Sequence, residues 1–108
     1  SIIRFFYDKE LKNNTNPIVS DFRYVGPKPF SKETAIVMMA DSVEAASKSI
    51  KDPNVKLIND FVEKIIDKQI EDNQFVDSDI TLKEIQIAKK IFKEKLNNIY
   101  HLRVEYPD

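Results

Sequence analysis

Apolar residues recur at helical spacing in four blocks along this chain, and the breaks between the blocks are rich in proline, asparagine and acidic residues. The first block, Ile2, Ile3, Phe5, Phe6 and Leu11, predicts a helix that is already strongly apolar at residue 2. A second helix is expected from Ser31 as N-cap to about Lys51, with Glu33 supporting its first turn and Ile36, Met39, Ala40, Val43, Ala46 and Ile50 forming an apolar stripe. Its small residues Ala40, Ser42, Ala45, Ala46, Ser47 and Ser49 let neighbouring backbones approach closely. A third helix reads from Asp52 as N-cap with Pro53 at its first position; Val55, Ile58, Val62, Ile65 and Ile66 lie inward and Asp60 pairs with Lys64 outside. The fourth opens on the capping-box pattern Thr81-Leu82-Lys83-Glu84, turns Ile85, Ala88, Ile91, Phe92, Leu96 and Ile99 inward, and ends ahead of Pro107. Between the first and second helices, residues 13–30 carry three prolines and the single glycine, Gly26, so they predict a long loop, which the aromatics Phe22, Tyr24 and Phe30 pack down. The expected class is all-α, about four helices with that loop between the first two.

Composition narrows the function more than the fold. A chain of 108 residues is one small domain, short for an enzyme with its own substrate pocket. With 17 Lys+Arg against 18 Asp+Glu spread along it, there is no basic field for polymeric nucleic acid. No cysteine is present, which removes disulfides and thiolate ligands and suits a reducing compartment such as the cytoplasm. The longest apolar run, Ala35 to Ala40, falls far below the roughly 20 residues that span a bilayer, and no signal-peptide pattern precedes it. No internal repeat, GxSxG, Walker A, HExxH or Rossmann glycine pattern occurs.

Three places hold candidate chemistry. Residues 72–79, Asp-Asn-Gln-Phe-Val-Asp-Ser-Asp, have the acidic look of a calcium loop, yet the turn glycine is missing and no register places the oxygen ligands, so a solvated interhelical loop is the better reading. His101, the one histidine, is read as a helix-end or packing residue, because a lone imidazole makes neither a metal site nor a catalytic dyad. Asp41 follows Ile36-Val37-Met38-Met39-Ala40 in mid-helix, where a carboxylate must be solvated, hydrogen-bonded or holding a cation. Helical geometry gives it a face shared with Val37, Met38, Ala45 and Lys48. The pattern leaves open whether it is a boundary-face residue or a ligand.

A resemblance supplies more. Phe22-Arg23-Tyr24-Val25-Gly26-Pro27-Lys28-Pro29, Ser31-Lys32-Glu33-Thr34-Ala35-Ile36, Ala40-Asp41-Ser42-Val43-Glu44-Ala45-Ala46, Asp79-Ile80-Thr81-Leu82, Ile99-Tyr100-His101 and Arg103-Val104-Glu105-Tyr106-Pro107 follow one another in the chain. In that order and spacing they resemble the C-terminal part of the membrane-anchored seven-transmembrane HD-domain hydrolases. Val25 stands where that family usually has proline, and Leu102 where it has a small polar residue. The resemblance implies an all-α HD domain on the cytoplasmic side of a membrane. It also implies hydrolysis of cyclic di-AMP with two divalent metals, manganese or iron, which lower the pKa of a bound water and balance charge on the phosphodiester. Histidines and a His-Asp doublet supply most ligands in that family, and an aspartate in the Ala-Asp-Ser-Val-Glu-Ala-Ala stretch supplies one more; here it is Asp41.

No His-Asp doublet and no histidine before position 101 occur in this chain, so the resemblance implies that residues 1–108 are the C-terminal portion of a single HD domain without its upstream metal-binding half. The apolar start without an initiating Met fits that expectation. The parent protein is then a metal-dependent phosphodiesterase, and this portion alone is expected to be inactive and to bind no metal tightly. Lys28 and Arg23, on a loop over the site, are candidate phosphate contacts through charge-assisted hydrogen bonds, with ordinary solvated basic residues as the rival reading. A free-standing helical interaction module without catalysis is the alternative function. Unpartnered faces bearing Ile2, Phe5, Phe6, Ile36 and Met39 predict self-association, as a homodimer.

Overall fold

The structure, a computed structural model, describes residues 27–102. Three helices form it: α1 (Lys32–Ser47), α2 (Val55–Glu71) and α3 (Leu82–Ile99). No strand occurs among the described residues, in keeping with the all-α expectation. The helix expected over Ile2 to Leu11, most of the 13–30 loop, and Arg23 with it lie outside the described residues.

Capping sets where each helix begins. Ser31 is extended (φ −144°, ψ 163°); its hydroxyl accepts from Thr34 N at 3.1 Å while Thr34 Oγ1 accepts from Ser31 N at 3.1 Å, so two otherwise orphaned amides are satisfied together. Thr81 and Glu84 repeat the device on α3, at 3.1 Å and 3.0 Å. The start of α2 corrects the sequence expectation. Asn54, not Asp52, is its N-cap, and Asn54 Oδ1 accepts from Leu57 N at 2.8 Å. Asp52 precedes a proline, whose ring disfavours the right-handed helical region, and it sits at φ 52°, far from the extended geometry an N-cap needs. Pro53 therefore lies ahead of the cap rather than inside the first turn. α1 ends at Ser47 instead of Lys51, where Ser49 N and Ile50 N turn back to Ala46 O and Ser47 O at 3.1 Å each.

Both other helix ends use left-handed residues that are not glycine. After α2, Asn73 (φ 58°) sends its N–H to Ile70 O and the next N–H, of Gln74, reaches Gln69 O. After α3, His101 (φ 58°) and Leu102 make the equivalent bonds to Asn98 O and Asn97 O at 3.1 Å and 2.8 Å. These are Schellman ends, so His101 has the helix-end role its position suggested. The 72–79 segment folds as a hydrogen-bonded turn: Phe75 and Ser78 are buried, Ser78 Oγ donates to Phe75 O, and Asp72 meets Lys68 at 3.6 Å.

One core joins the three helices, built from Ala35, Met38, Met39, Val43 and Ala46 of α1, Ile58, Phe61, Val62, Ile65 and Ile66 of α2, and Ile85, Ala88 and Leu96 of α3. The stripe on α1 is rotated from the expected one: Met38 is inside and Ile36 is exposed, while Met39 is fully buried and offers no surface for association. On α3, Ile91 and Ile99 also face out. Buried positions 85, 88, 89 and 96 follow the i, i+3, i+4, i+11 rhythm of a single face; 91 lies off it, and 99 lies on it but is the last residue of the helix. Asp60 pairs with Lys56 at 2.6 Å rather than with Lys64, since the lysine one turn earlier takes the carboxylate's hydrogen bond.

Across the α2–α3 seam runs an ionic cluster that the hydrophobic pattern does not announce. Lys89, almost wholly buried, donates to Glu63 Oε1 at 2.9 Å and Asp67 Oδ1 at 2.6 Å, and Lys93 donates to the other Glu63 oxygen. Beside it Asn97 Nδ2 donates to Asn59 Oδ1 at 3.1 Å. At the far end of the bundle Tyr100 Oη donates to Ser47 O at 3.0 Å, tying the end of α3 to the end of α1.

Candidate functional site

The entry to α1 belongs to no helix or strand, and its burial alternates: Lys28 exposed, Pro29 buried, Phe30 exposed. Pro29 makes this alternation stiff, because proline holds the residue before it in the extended region and fixes its own φ. Lys28 and Phe30 are thus both open to solvent while the buried Pro29 anchors the segment between them.

That segment lies against the face of α1 that bears Thr34, Val37, Met38 and Asp41, spaced i, i+3, i+4, i+7. Together with Pro27, Lys28, Pro29 and Phe30 they line an open concavity of about 310 Å³. Its lining is mostly apolar, with one cation, Lys28, and one carboxylate, Asp41. Both are exposed, so neither depends on the other for solvation.

The structure thus brings Asp41 and Lys28 into one hollow, while Arg23 lies outside the described residues. Of the face shared with Asp41, Val37 and Met38 line the hollow; Ala45 and Lys48 do not. His101 is not part of it. Phe30 corrects its expected role: it does not pack the loop down but stands 79% exposed at the rim. The signal that would have found it is its place two residues after Lys28 and directly after Pro29.

Among the described residues no three of Asp, Glu, His and Cys come together as ligands for a metal ion. Asp41 offers a single carboxylate, so the described residues do not by themselves fit a metal pair. The strongest electrostatic couplings lie elsewhere, in the α2–α3 cluster. Burial alone would raise the Glu63 carboxyl, but hydrogen bonds from Lys93 and Lys89 hold it below its ordinary range. Burial alone would lower Lys89, but Asp67 and Glu63 hold its ammonium above the ordinary lysine range. These residues staple helices together and do not line the hollow.

Likeness to solved structures defines the class of this helical bundle as an HD-type domain. The solved HD domain of the Listeria monocytogenes phosphodiesterase PgpH, in complex with cyclic-di-AMP, matches with a TM-score of 0.71 at 39% identity, over 94% of this chain and 47% of its own. A second crystal structure of the L. monocytogenes PgpH HD domain matches with a TM-score of 0.71 over 92% of this chain. In sequence, the chain is 43% identical over all 108 residues to the cyclic-di-AMP phosphodiesterase PgpH of Bacillus subtilis and 41% identical to that of L. monocytogenes, and it spans 15% of the length of each. An uncharacterised protein of Synechocystis is 39% identical over 87 residues. No family model matches the chain. The chain is homologous to part of the HD domain of the PgpH cyclic-di-AMP phosphodiesterases. An HD phosphodiesterase domain implies divalent metal ions in general. None of the described helices is long and apolar enough to cross a membrane.

Proposed function

We propose that this chain is the C-terminal portion of a single HD-type domain that hydrolyses a cyclic dinucleotide, cyclic di-AMP, with the hollow between residues 27–30 and α1 forming part of its substrate site. The observation that carries the reading is the match, at 39% identity over 94% of the chain, to an HD domain solved with cyclic-di-AMP. Asp41 contributes one carboxylate ligand to a metal site whose other ligands the described residues do not supply. Manganese or iron fits the oxygen and imidazole donors such a site uses. Lys28 donates to a phosphate oxygen, and Arg23 assists from the preceding loop. In the same reading the parent protein is anchored in a membrane with this domain on the cytoplasmic side. Any association into homodimers would draw on the exposed Ile36, Ile87 and Ile91, since Met39 is buried.

The test is Asp41→Asn in the intact protein. An amide keeps the shape and loses the charge; because Asp41 is exposed, helicity should not change. Cyclic di-AMP turnover is expected to fall at least about 100-fold, with lowered metal content, since even residues that merely support metal ligands cost up to about that factor. Full turnover with unchanged metal content would remove Asp41 from the site.

A further inference from the structure

Phe30 is the feature of the hollow that the phosphate and metal roles leave unused. Isolated exposed apolar residues are ordinary on protein surfaces. This one is placed differently. It stands 79% exposed on a segment stiffened by the buried Pro29, one residue before the hydrogen-bonded cap that starts α1. Its ring borders a hollow whose other apolar lining is Pro27, Pro29, Val37 and Met38, and whose charged lining is Lys28 and Asp41. An apolar hollow with a few convergent polar groups is the form of a small-molecule site. An exposed aromatic beside a cation is the combination that receives a nucleotide: the ring stacks on the base while the ammonium meets the phosphate.

We propose that Phe30 is a substrate-binding residue, a stacking platform for one base of the cyclic dinucleotide, with Lys28 holding the adjoining phosphate. The idea rests on the proposed substrate site, and it goes further by assigning base recognition to one side chain. Stacking needs an aromatic face and no particular hydrogen bond, so Phe30 selects for a base without selecting strongly among purines. It also needs the platform held in place beforehand. Pro29 and the Ser31–Thr34 cap do that from either side.

Equilibrium binding to the intact protein in the presence of a metal chelator tests it, with cyclic di-AMP, AMP and ribose 5-phosphate as probes, on the unaltered protein, Phe30→Ala and Phe30→Tyr. Phe30→Ala should weaken cyclic di-AMP and AMP by at least about five-fold and leave ribose 5-phosphate unchanged, and Phe30→Tyr should restore the lost affinity. The helix content of all three should coincide, because an exposed ring contributes little to the core. Equal AMP affinity in the unaltered protein and Phe30→Ala overturns the proposal, as does equal weakening of ribose 5-phosphate, which would mean a displaced loop. Failure of AMP to bind the unaltered protein overturns it too. The two readings separate cleanly: Phe30-dependent AMP binding without cyclic di-AMP turnover retains the platform and removes the phosphodiesterase, whereas turnover that ignores Phe30 does the opposite.

Discussion

The α2–α3 seam and the outer side of α1 are built on opposite plans. Between α2 and α3 the apolar stripes meet, the buried lysine finds two carboxylates, and Asn97 Nδ2 finds Asn59, so the seam pairs its charges, while Asn97 Oδ1 and the buried Gln69 amide find no hydrogen-bond partner among the described residues. α1 buries Ala35, Met39, Val43 and Ala46 on one side and carries Val37 on another, beside Asp41 and the exposed aromatic Phe30, while Ile36 faces Glu84, Ile87 and Ile91 of α3 in a separate hollow. A helix with a single apolar stripe needs one neighbour, and a helix apolar on two sides has room for a second. The difference teaches that the seam is organised for stability, and that the open side of α1 keeps its apolar surface for whatever fills the hollow.

The largest effect that tests this contrast is a cavity in the seam. Ile66→Ala removes a fully buried side chain and should cost about 2–5 kcal/mol, a large share of the roughly 5–15 kcal/mol a small domain possesses. Val37→Ala, on the open side, should stay within about 0.5 kcal/mol. Urea denaturation of both variants decides the matter. Comparable losses would mean that the outer side of α1 belongs to the same packed core, and the contrast would collapse.

The same contrast explains what could be read from the chain. The caps at Ser31 and Thr81 are local, set by residues three apart, and both stand where the sequence puts them; the box is expected at Thr81, and Thr34 completes a second one at Ser31 that the sequence expectation lacks. The α2 cap was misread because Asp and Asn are both good caps, and only the proline's effect on Asp52 decides between them. Ile36, Ile91 and Ile99 look like core by hydropathy; which side of a helix is covered depends on the neighbours, which periodicity does not identify. Lys89 is the converse, a charged residue whose burial is permitted only by Glu63 and Asp67 more than twenty residues earlier. In the hollow, Asp41 was legible through its resemblance to a ligand motif, and its company with Lys28 and Phe30 was not, since that depends on how the entry segment lies on α1.

A smaller effect sharpens the open side. Lys28→Ala in the intact protein should raise the Michaelis constant for cyclic di-AMP, or slow its turnover, by about ten-fold, the size of one lost charge-assisted hydrogen bond. Stability should be unaltered, because Lys28 is exposed and belongs to no ion pair with a described residue. Kinetics identical to those of the unaltered protein would make it an ordinary solvated lysine and leave the hollow without a phosphate anchor.

The smallest expected effect belongs to the seam and concerns pH. Glu63 titrates in the folded chain below its ordinary value of 4.5, because the hydrogen bonds from Lys93 and Lys89 outweigh the opposing effect of burial. A carboxyl depressed by folding contributes stability in full above its unfolded pKa and loses it as pH falls through the folded one. Lys89 is shifted the other way, above 10.5, so its contribution is present below that value and lost as pH rises through the folded pKa. The cluster therefore supports the seam across the whole interval between those values, and the acid side is the experimentally accessible edge. Glu63→Gln should remove part of the fall in stability as pH drops below about 4.5. The difference should be under about 1 kcal/mol, because the Glu63 side chain is 36% exposed and solvent and salt screen it. Urea midpoints measured from pH 7 downward for the unaltered chain and the variant give the comparison, and subtracting the two curves cancels the exposed carboxylates Asp60 and Glu84, which are also depressed. Converging curves at low pH support a seam held partly by charge. Parallel curves would assign the seam's stability to its apolar stripes alone, with Lys89 merely accommodated between them.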